Sequence, residues 1–396
     1  MGRLKTTYLP ALVVAFLVSF GLSSVATVEV LYLFFSLDGS FAMIGSILGL
    51  SALAFVFLSA HIQKIASRMG YGLFFTWSSL ALSCALVFAS LAVSAGMYAV
   101  SRVIIAVGTP LLIPLVIDLV RDAFRFAKDL DRLVSVLLLA VSLGGAAGAL
   151  SAGVVAQEVS YSYVYVLSAI AFFSAGMVAL MLPQTRPSFP KRPFNPFSEI
   201  AQVMQKKYLV LAVFSLQAFW MVRDMVLPFF ILDIGGSVLA VGVVFASMSL
   251  LAGIGGLFAR QVLGKNASSR VLVFSFAGMS ACALLFPFSV FVVLVFVAGA
   301  YAFFDASASP SVHARIEKDT PLRRRPAIVE GFRALSSLAL VVTPVVLGLL
   351  LEAGLPLRLT LLFSGVALGV VYFRLQKQFA PDEVFPRLRV RKRFSW

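Results

Sequence analysis

Residues 29–38 read EVLYLFFSLD and residues 224–233 read DMVLPFFILD, so the same arrangement of an acid, two phenylalanines, a leucine and an aspartate occurs twice, 195 positions apart. Ser142-Leu143 matches Ser337-Leu338 at the same offset, and Cys84-Ala85-Leu86 matches Cys282-Ala283-Leu284 at an offset of 198. The repeated positions predict that the chain consists of two structurally related halves. Internal repeats of this kind are a common building plan of secondary transporters.

The composition is that of an integral membrane protein. Hydrophobic residues make up 61% of the 396 residues and charged residues only 12%, with a mean hydropathy of +1.01. A membrane-spanning helix needs about 20 apolar residues. Twelve stretches meet this requirement, and they predict an all-α fold with two pseudo-symmetric bundles of six transmembrane helices: 8–37, 41–60, 72–95, 97–120, 133–155, 161–182, 208–232, 238–262, 271–288, 290–312, 328–351 and 357–373.

The chain divides into four predicted regions. Residues 1–182 form the first bundle and residues 208–378 form the second. Between them, residues 183–207 contain five prolines and several basic residues, which is typical of an extended cytoplasmic linker. Residues 379–396 form a basic cytoplasmic tail.

The basic residues indicate the orientation in the membrane. The formal net charge is +15, and nearly all of the 32 lysines and arginines fall in segments that are cytoplasmic if the N-terminus is inside. Cytoplasmic loops of membrane proteins carry such an excess. We therefore expect a multi-pass protein of a prokaryotic plasma membrane, with both termini in the cytoplasm. Its positive charge would contact anionic lipids rather than nucleic acid.

Short motifs resemble those of the major facilitator superfamily. Arg102, Ala106 and Gly108 match the arginine and small residues of the family's fourth helix, and Arg68 and Gly70 match part of its motif after helix 2. The resemblance implies two six-helix halves that move around a central substrate cavity lined by helices 1, 4, 7 and 10. It also implies a gating role for the loop that contains Arg68 and Gly70.

Among the charged residues inside the apolar stretches, we single out five: Glu29, Arg102, Arg223, Asp224 and Asp305. A charge at the bilayer centre costs roughly 2.5 to 3.5 kcal/mol, so each must face a cavity, meet a partner or be neutralised. We predict that they bind substrate or couple transport to protons. The alternative is a set of static ion pairs, Glu29 with Arg102 and Asp305 with Arg223.

Aromatic and amide side chains share helix faces with these acids, at spacings of three or four residues. Tyr32 lies on the face of Glu29, Gln217 and Trp220 on that of Asp224, and Tyr301 on that of Asp305. We predict that these four residues line the cavity. Aromatic faces beside acids suit an amphipathic or cationic ligand, whereas a single amide inside the spans disfavours sugars.

The sequence contains no pattern for enzymatic chemistry. Its two histidines, His61 and His313, have no cysteine or carboxylate cluster at the spacing of metal ligands. No phosphate-binding glycine motif follows a strand. We therefore expect no metal, no cofactor and no enzymatic activity.

Together these features predict a monomeric secondary active transporter. It would move a small amphipathic organic solute by alternating access, coupled to protons and in the direction of export, with the solute, protons and membrane lipids as its partners. Two alternatives remain at this point. The chain could be a lipid scramblase or lipid carrier, or a receptor that keeps the fold without transporting.

Overall fold

The structure is a computed structural model. It describes residues 8–109, 112–123, 130–185, 203–204, 206–263, 268–320 and 325–379. Most of the predicted linker and nearly all of the predicted tail lie outside the described residues.

The described residues form thirteen α-helices. In chain order they are α1 (Leu9–Leu31), α2 (Phe41–Met69), α3 (Tyr71–Ser90), α4 (Ala95–Gly108), α5 (Leu112–Ala123), α6 (Leu130–Glu158), α7 (Tyr161–Ala179), α8 (Lys207–Asp233), α9 (Val238–Leu263), α10 (Ser268–Leu285), α11 (Phe291–Lys318), α12 (Arg325–Glu352) and α13 (Leu357–Gln378). We call α1 to α7 the first half and α8 to α13 the second half.

The predicted all-α fold with twelve transmembrane helices is confirmed. Twelve helical segments in the described part are long and apolar enough to cross a membrane, and each falls on one of the predicted stretches. Helices α4 and α5 flank residues 110–111 and together form the fourth span. Large apolar side chains such as Phe57, Phe173 and Phe296 are exposed on the outside of the helices, as expected where lipid is the solvent.

The first span changes its helical geometry near its end. After α1, residues Tyr32–Ser36 form a π-helical turn, which contains more residues per turn than an α-helix. The chain then turns through Asp38, whose φ of 49° is positive, and the Gly39 amide donates to the Leu33 carbonyl at 2.9 Å. This turn shifts the faces of the residues that follow Leu31.

A cluster of phenylalanines joins the two halves beside the loop at residues 37–40. The ring of Phe229 from α8 lies 5.1 Å from Phe34, 6.4 Å from Phe35 and 5.0 Å from Phe41. Phe34 and Phe229 are positions paired by the sequence repeat. This phenylalanine cluster closes the space between the halves on the side that the charge pattern predicts to be external.

Glycines bring the backbones of the two halves together on the same side. A Cβ atom on Gly45 of α2 would collide with the Pro344 carbonyl oxygen of α12. On α6, a Cβ on Gly153 would lie 3.0 Å from the Cα atom of Gly242 in α9. Small residues permit such close helix packing where water supplies no hydrophobic driving force.

Polar contacts at the opposite end fix α8 relative to α11, the two second-half helices that carry the predicted acids. The Tyr208 hydroxyl donates to Asp319 Oδ2 at 2.6 Å, and Arg315 Nε donates to the same oxygen at 2.8 Å. Lys206 Nζ donates to the Asp319 carbonyl oxygen at 2.8 Å. Partial burial lowers the pKa of Lys206.

We expect Gly45→Ala to lower the unfolding free energy by about 1 to 3 kcal/mol, because the added methyl group overpacks the contact with Pro344. Thermal and chemical unfolding of the purified protein would measure the change. Gly96→Ala is the matched control, since a Cβ there meets no atom within 4 Å. Equal stability of the two variants would contradict the close packing of α2 on α12.

Candidate functional site

A cavity of about 180 Å³ lies between the two halves. Its lining is mostly apolar, with a few polar groups from both sides. The first half contributes Glu29 and Arg102, and the second half contributes Asp224. The other lining residues are Ala26, Val30, Leu48, Ser51, Ala52, Phe55, Ala106, Thr109, Met221, Ser337 and Leu340. Three of the five predicted charged residues therefore meet at one cavity.

Glu29 is held by a cation and a phenol. Arg102 Nε forms an ion pair with Glu29 Oε1, and the Tyr98 hydroxyl donates to the same oxygen at 2.7 Å. Only 8% of the Glu29 side chain and 21% of the Arg102 side chain are exposed. Tyr98 lies one turn before Arg102 on α4, so a single face of that helix supplies both partners. The Glu29–Arg102 ion pair, which the sequence analysis gave as an alternative, is the arrangement observed.

Behind this pair, three tyrosines form a buried network in the first half. The Tyr165 hydroxyl donates to the Tyr98 hydroxyl at 3.0 Å. The ring of Tyr32 packs 4.8 Å from that of Tyr165 and 5.7 Å from that of Tyr98. Tyr32 is 1% exposed, and its hydroxyl donates to the Ala89 carbonyl at 3.0 Å. Tyr32 thus packs behind Glu29 and is not among the residues that line the cavity.

In the second half, Arg223 is bonded to its own neighbour in sequence. Its Nε and Nη2 atoms both lie 2.6 Å from Asp224 Oδ1. The guanidinium carbon also lies 4.9 Å from the ring centre of Trp220 and 6.0 Å from that of Phe245. The alternative of an Arg223–Asp305 ion pair is not the arrangement observed, because the Arg223 guanidinium binds the carboxylate of Asp224 instead.

Asp305 instead accepts a hydrogen bond from Trp220 Nε1 at 2.7 Å. Tyr301, one turn earlier on α11, is fully buried against the rings of Phe219 and Phe286, at 4.4 and 5.9 Å. Its hydroxyl has no hydrogen-bond partner in the described part of the chain. Gln217 is half-buried, one turn before Trp220 on α8. None of these four residues lines the cavity between the halves.

The two residues of the predicted gating loop lie where α2 ends. Arg68 is exposed in the last turn of α2, and Gly70 follows it with a positive φ of 87°. A Cβ on Gly70 would lie 2.7 Å from the Gln184 carbonyl oxygen, and the Tyr71 amide donates to the Thr185 carbonyl at 2.9 Å. These contacts of the loop are with the first residues of the predicted linker, just after α7.

Sequence reasoning missed several residues of the site. Tyr98 could have been found from its spacing, since it precedes Arg102 by one helical turn. Tyr165 and Phe55 gave no such signal, because a tyrosine or phenylalanine in an apolar span usually packs against other helices. In the described residues, no group of three or more histidine, cysteine or acidic side chains could hold a metal ion.

Comparison with known proteins identifies the class. The chain has the fold of solved membrane transporters, including the nucleoside transporter NupG in a mutant form, with a TM-score of 0.79 at 16% identity over 94% of this chain and 100% of that one. A bacterial homologue of the human lysosomal transporter Spinster, in an inward-facing and occupied conformation, gives 0.71 at 15% identity over 96% and 98% of the two chains. A mutant of the peptide transporter POT with bound sulfate gives 0.72 at 15% identity over 93% of each.

A family model establishes membership. The model described as Major Facilitator Superfamily matches residues 11–267. The chain therefore belongs to the major facilitator superfamily, and the protein is a multi-pass membrane transporter. No curated protein matches it in sequence.

The buried Glu29–Arg102 pair predicts strongly non-additive effects on stability. We expect Arg102→Met to lower the unfolding free energy by about 3 to 5 kcal/mol, because it leaves Glu29 buried without its cation. The double variant Glu29→Gln with Arg102→Met should recover most of that loss. Denaturant unfolding of the two single variants and the double variant would measure the coupling.

The exposed pair of Arg121 and Asp118 is the control, since its side chains are 57% and 53% exposed. Arg121→Met should change stability by less than about 1 kcal/mol. Additive effects of Glu29→Gln and Arg102→Met would show that the two side chains do not depend on each other.

Proposed function

We propose that this protein is a proton-coupled secondary transporter that exports a small amphipathic organic solute by alternating access. The observation that carries the proposal is the meeting of Glu29, Arg102 and Asp224 at one cavity between the halves. Charges in an apolar span are costly and usually mark a substrate or ion pathway. Here both halves contribute charge to the same space.

The ion pairs provide a way to couple protons to movement. Protonation of a carboxylate removes the attraction to its guanidinium, so a proton on Glu29 would release Arg102, and one on Asp224 would release Arg223. Because Asp224 also lies within electrostatic range of Arg102 across the cavity, release of one pair changes the field on the other. A proton entering from one side could thereby shift the balance between two arrangements of the halves.

The cavity lining supports an amphipathic solute. Most of the lining side chains are aliphatic or aromatic, and Ser51, Thr109 and Ser337 add a few hydroxyl groups. A solute with an apolar body and one polar group fits this combination. NupG is a nucleoside transporter and POT a peptide transporter, so the fold itself accepts polar organic molecules of different kinds.

The closed side provides the loading state that export requires. The phenylalanine cluster and the close approaches of Gly45 and Gly153 join the halves on the side predicted to be external. A solute would then reach the cavity from the cytoplasmic side and leave after the halves separate at this cluster. In this scheme residues 1–182 and 208–378 move as two bodies joined by residues 183–207, in a prokaryotic plasma membrane, and the loop with Arg68 and Gly70 contributes to gating.

A flux assay tests the proton coupling. Purified protein in liposomes with an imposed pH gradient would be exposed to a library of amphipathic solutes while an internal dye reports pH. We expect some solutes to dissipate the gradient with the wild-type protein. Glu29→Gln and Asp224→Asn should each reduce that flux about tenfold or more, because neither amide can carry the proton.

Asp233→Asn is the matched control for Asp224→Asn, because Asp233 is an exposed carboxylate at the end of the same helix. It should keep wild-type flux. Unchanged flux in both cavity variants would rule out coupling through these acids. Lipid scrambling that ignores the pH gradient, with no solute flux, would instead favour a lipid carrier.

A further inference from the structure

We propose that Asp305 and Trp220 form a subsite that binds the ammonium group of a monocationic amphipathic amine, with the amine's apolar body against the indole ring. The inference rests on the proposed transport function and specifies the chemical class of its substrate. It depends on the charge balance, the bonding of Asp305 and an unused tyrosine hydroxyl. The subsite lies beside the cavity and is connected to it by Arg223, which contacts both Trp220 and the cavity-lining Asp224.

The charges of the five residues singled out from the sequence do not balance. Three carboxylates, those of Glu29, Asp224 and Asp305, accompany two guanidinium groups, those of Arg102 and Arg223. Each arginine is already bonded to a different acid, Arg102 to Glu29 and Arg223 to Asp224. Among these three acids, Asp305 is thus the one that neither arginine contacts directly. A bound monocation would supply the missing charge.

The bonding of Asp305 leaves room for such a ligand. An ionised carboxylate can accept about four hydrogen bonds. The Asp305 carboxylate accepts one from Trp220 Nε1, through Oδ2, and it is only half-buried. An ammonium group carries three N–H donors, so it could bind the remaining acceptor positions of the carboxylate.

Trp220 supplies a surface for the rest of the molecule. Trp220 is 42% exposed, although its indole N–H donates a hydrogen bond to Asp305. The nearby Arg223 guanidinium already lies 4.9 Å from the ring centre, which shows that this indole accepts a cation at short range. An amine bound at Asp305 would place its apolar body next to the same ring.

Tyr301 supplies the second polar group. On α4, the tyrosine one turn before the charged residue donates a hydrogen bond to Glu29. On α11, Tyr301 lies one turn before Asp305, just as Tyr98 lies one turn before Arg102. The Tyr301 hydroxyl, however, is fully buried and has no hydrogen-bond partner in the described residues. A buried hydroxyl without a partner is costly. A ligand N–H at Asp305 could provide that partner.

The other charged and titratable groups around Asp305 are few. Arg223 and Asp224 of α8 and Tyr301 of α11 lie within electrostatic range of Asp305. Cys282 of α10 lies within electrostatic range of Tyr301. Since Arg223 and Asp224 neutralise each other, the field at the subsite is dominated by Asp305, and this favours a cation over an anion or a neutral solute.

The test compares three ligands with the same apolar body: phenylbutylamine, phenylbutanol and phenylpentanoate. The chain has three tryptophans, so Trp77→Phe with Trp396→Phe leaves Trp220 as the sole indole reporter. Trp77 is 61% exposed on α3. Titrations followed by Trp220 fluorescence, with melting temperature as a second readout, should show binding of the amine at least about tenfold tighter than of the alcohol or the carboxylate.

Asp305→Asn should remove the preference while keeping an acceptor for the indole. We expect the amine to lose about ten- to a hundredfold in affinity, the range for a hydrogen bond to a charged group, and the alcohol to change less than about twofold. Asp305→Glu should restore most of the amine preference, which separates loss of charge from loss of structure. Asp233→Asn should leave all three affinities unchanged.

Equal binding of the amine and the alcohol to the wild-type reporter protein would overturn the inference. So would an amine preference that survives Asp305→Asn. Failure here is distinguishable from failure of the proposed function, because solute-driven proton flux that depends on Glu29 and Asp224 can be present with a neutral substrate. Absence of that flux would count against the transport proposal itself.

Discussion

The constraint on which this structure depends is the cost of a charge in an apolar medium. Each ionised group within a span must find an opposite charge, a hydrogen-bond donor or water, since lipid supplies none of these. Glu29 meets this requirement with Arg102 and Tyr98, and Asp224 meets it with Arg223. These compensating contacts determine which faces of α1, α4 and α8 turn towards the interior, and the cavity lies where those faces meet.

The same requirement explains a difference between the halves. In the first half, the acid, the arginine and the tyrosines form one connected network, and Tyr98 and Tyr165 are fully buried. In the second half the arginine is next to its acid in sequence, so the acid on α11 is left with only an indole donor. A duplicated plan has therefore produced one network in which the acid meets both a cation and a phenol, and one in which Asp305 meets only an indole. Open positions are where a mobile cation or solute can bind.

Packing between the halves is governed by shape. Phe34 and Phe229, which the repeat places at equivalent positions, contact each other at the closed side. Glycines at Gly45 and Gly153 remove side chains where the backbones approach. Neither the ring contacts nor the glycine contacts involve an ion pair. This side could separate without exposing a buried charge, as a transport cycle would require.

The sequence by itself determined the class of fold, because the length and number of apolar stretches dictate twelve spans whatever their arrangement. It also identified the charged residues, since each is anomalous within its own span. It did not determine their partners, which depend on helix rotation and on contacts between residues far apart in the chain. The face of Tyr32 could not be read from an ideal helical period, because a π-helical turn begins at that residue. Likewise, only the tertiary structure decided that Arg223 bonds to Asp224, while Asp305 accepts a hydrogen bond from Trp220. The reason is that the side-chain rotamer and the helix packing select between two acids that the sequence places within reach of the same cation.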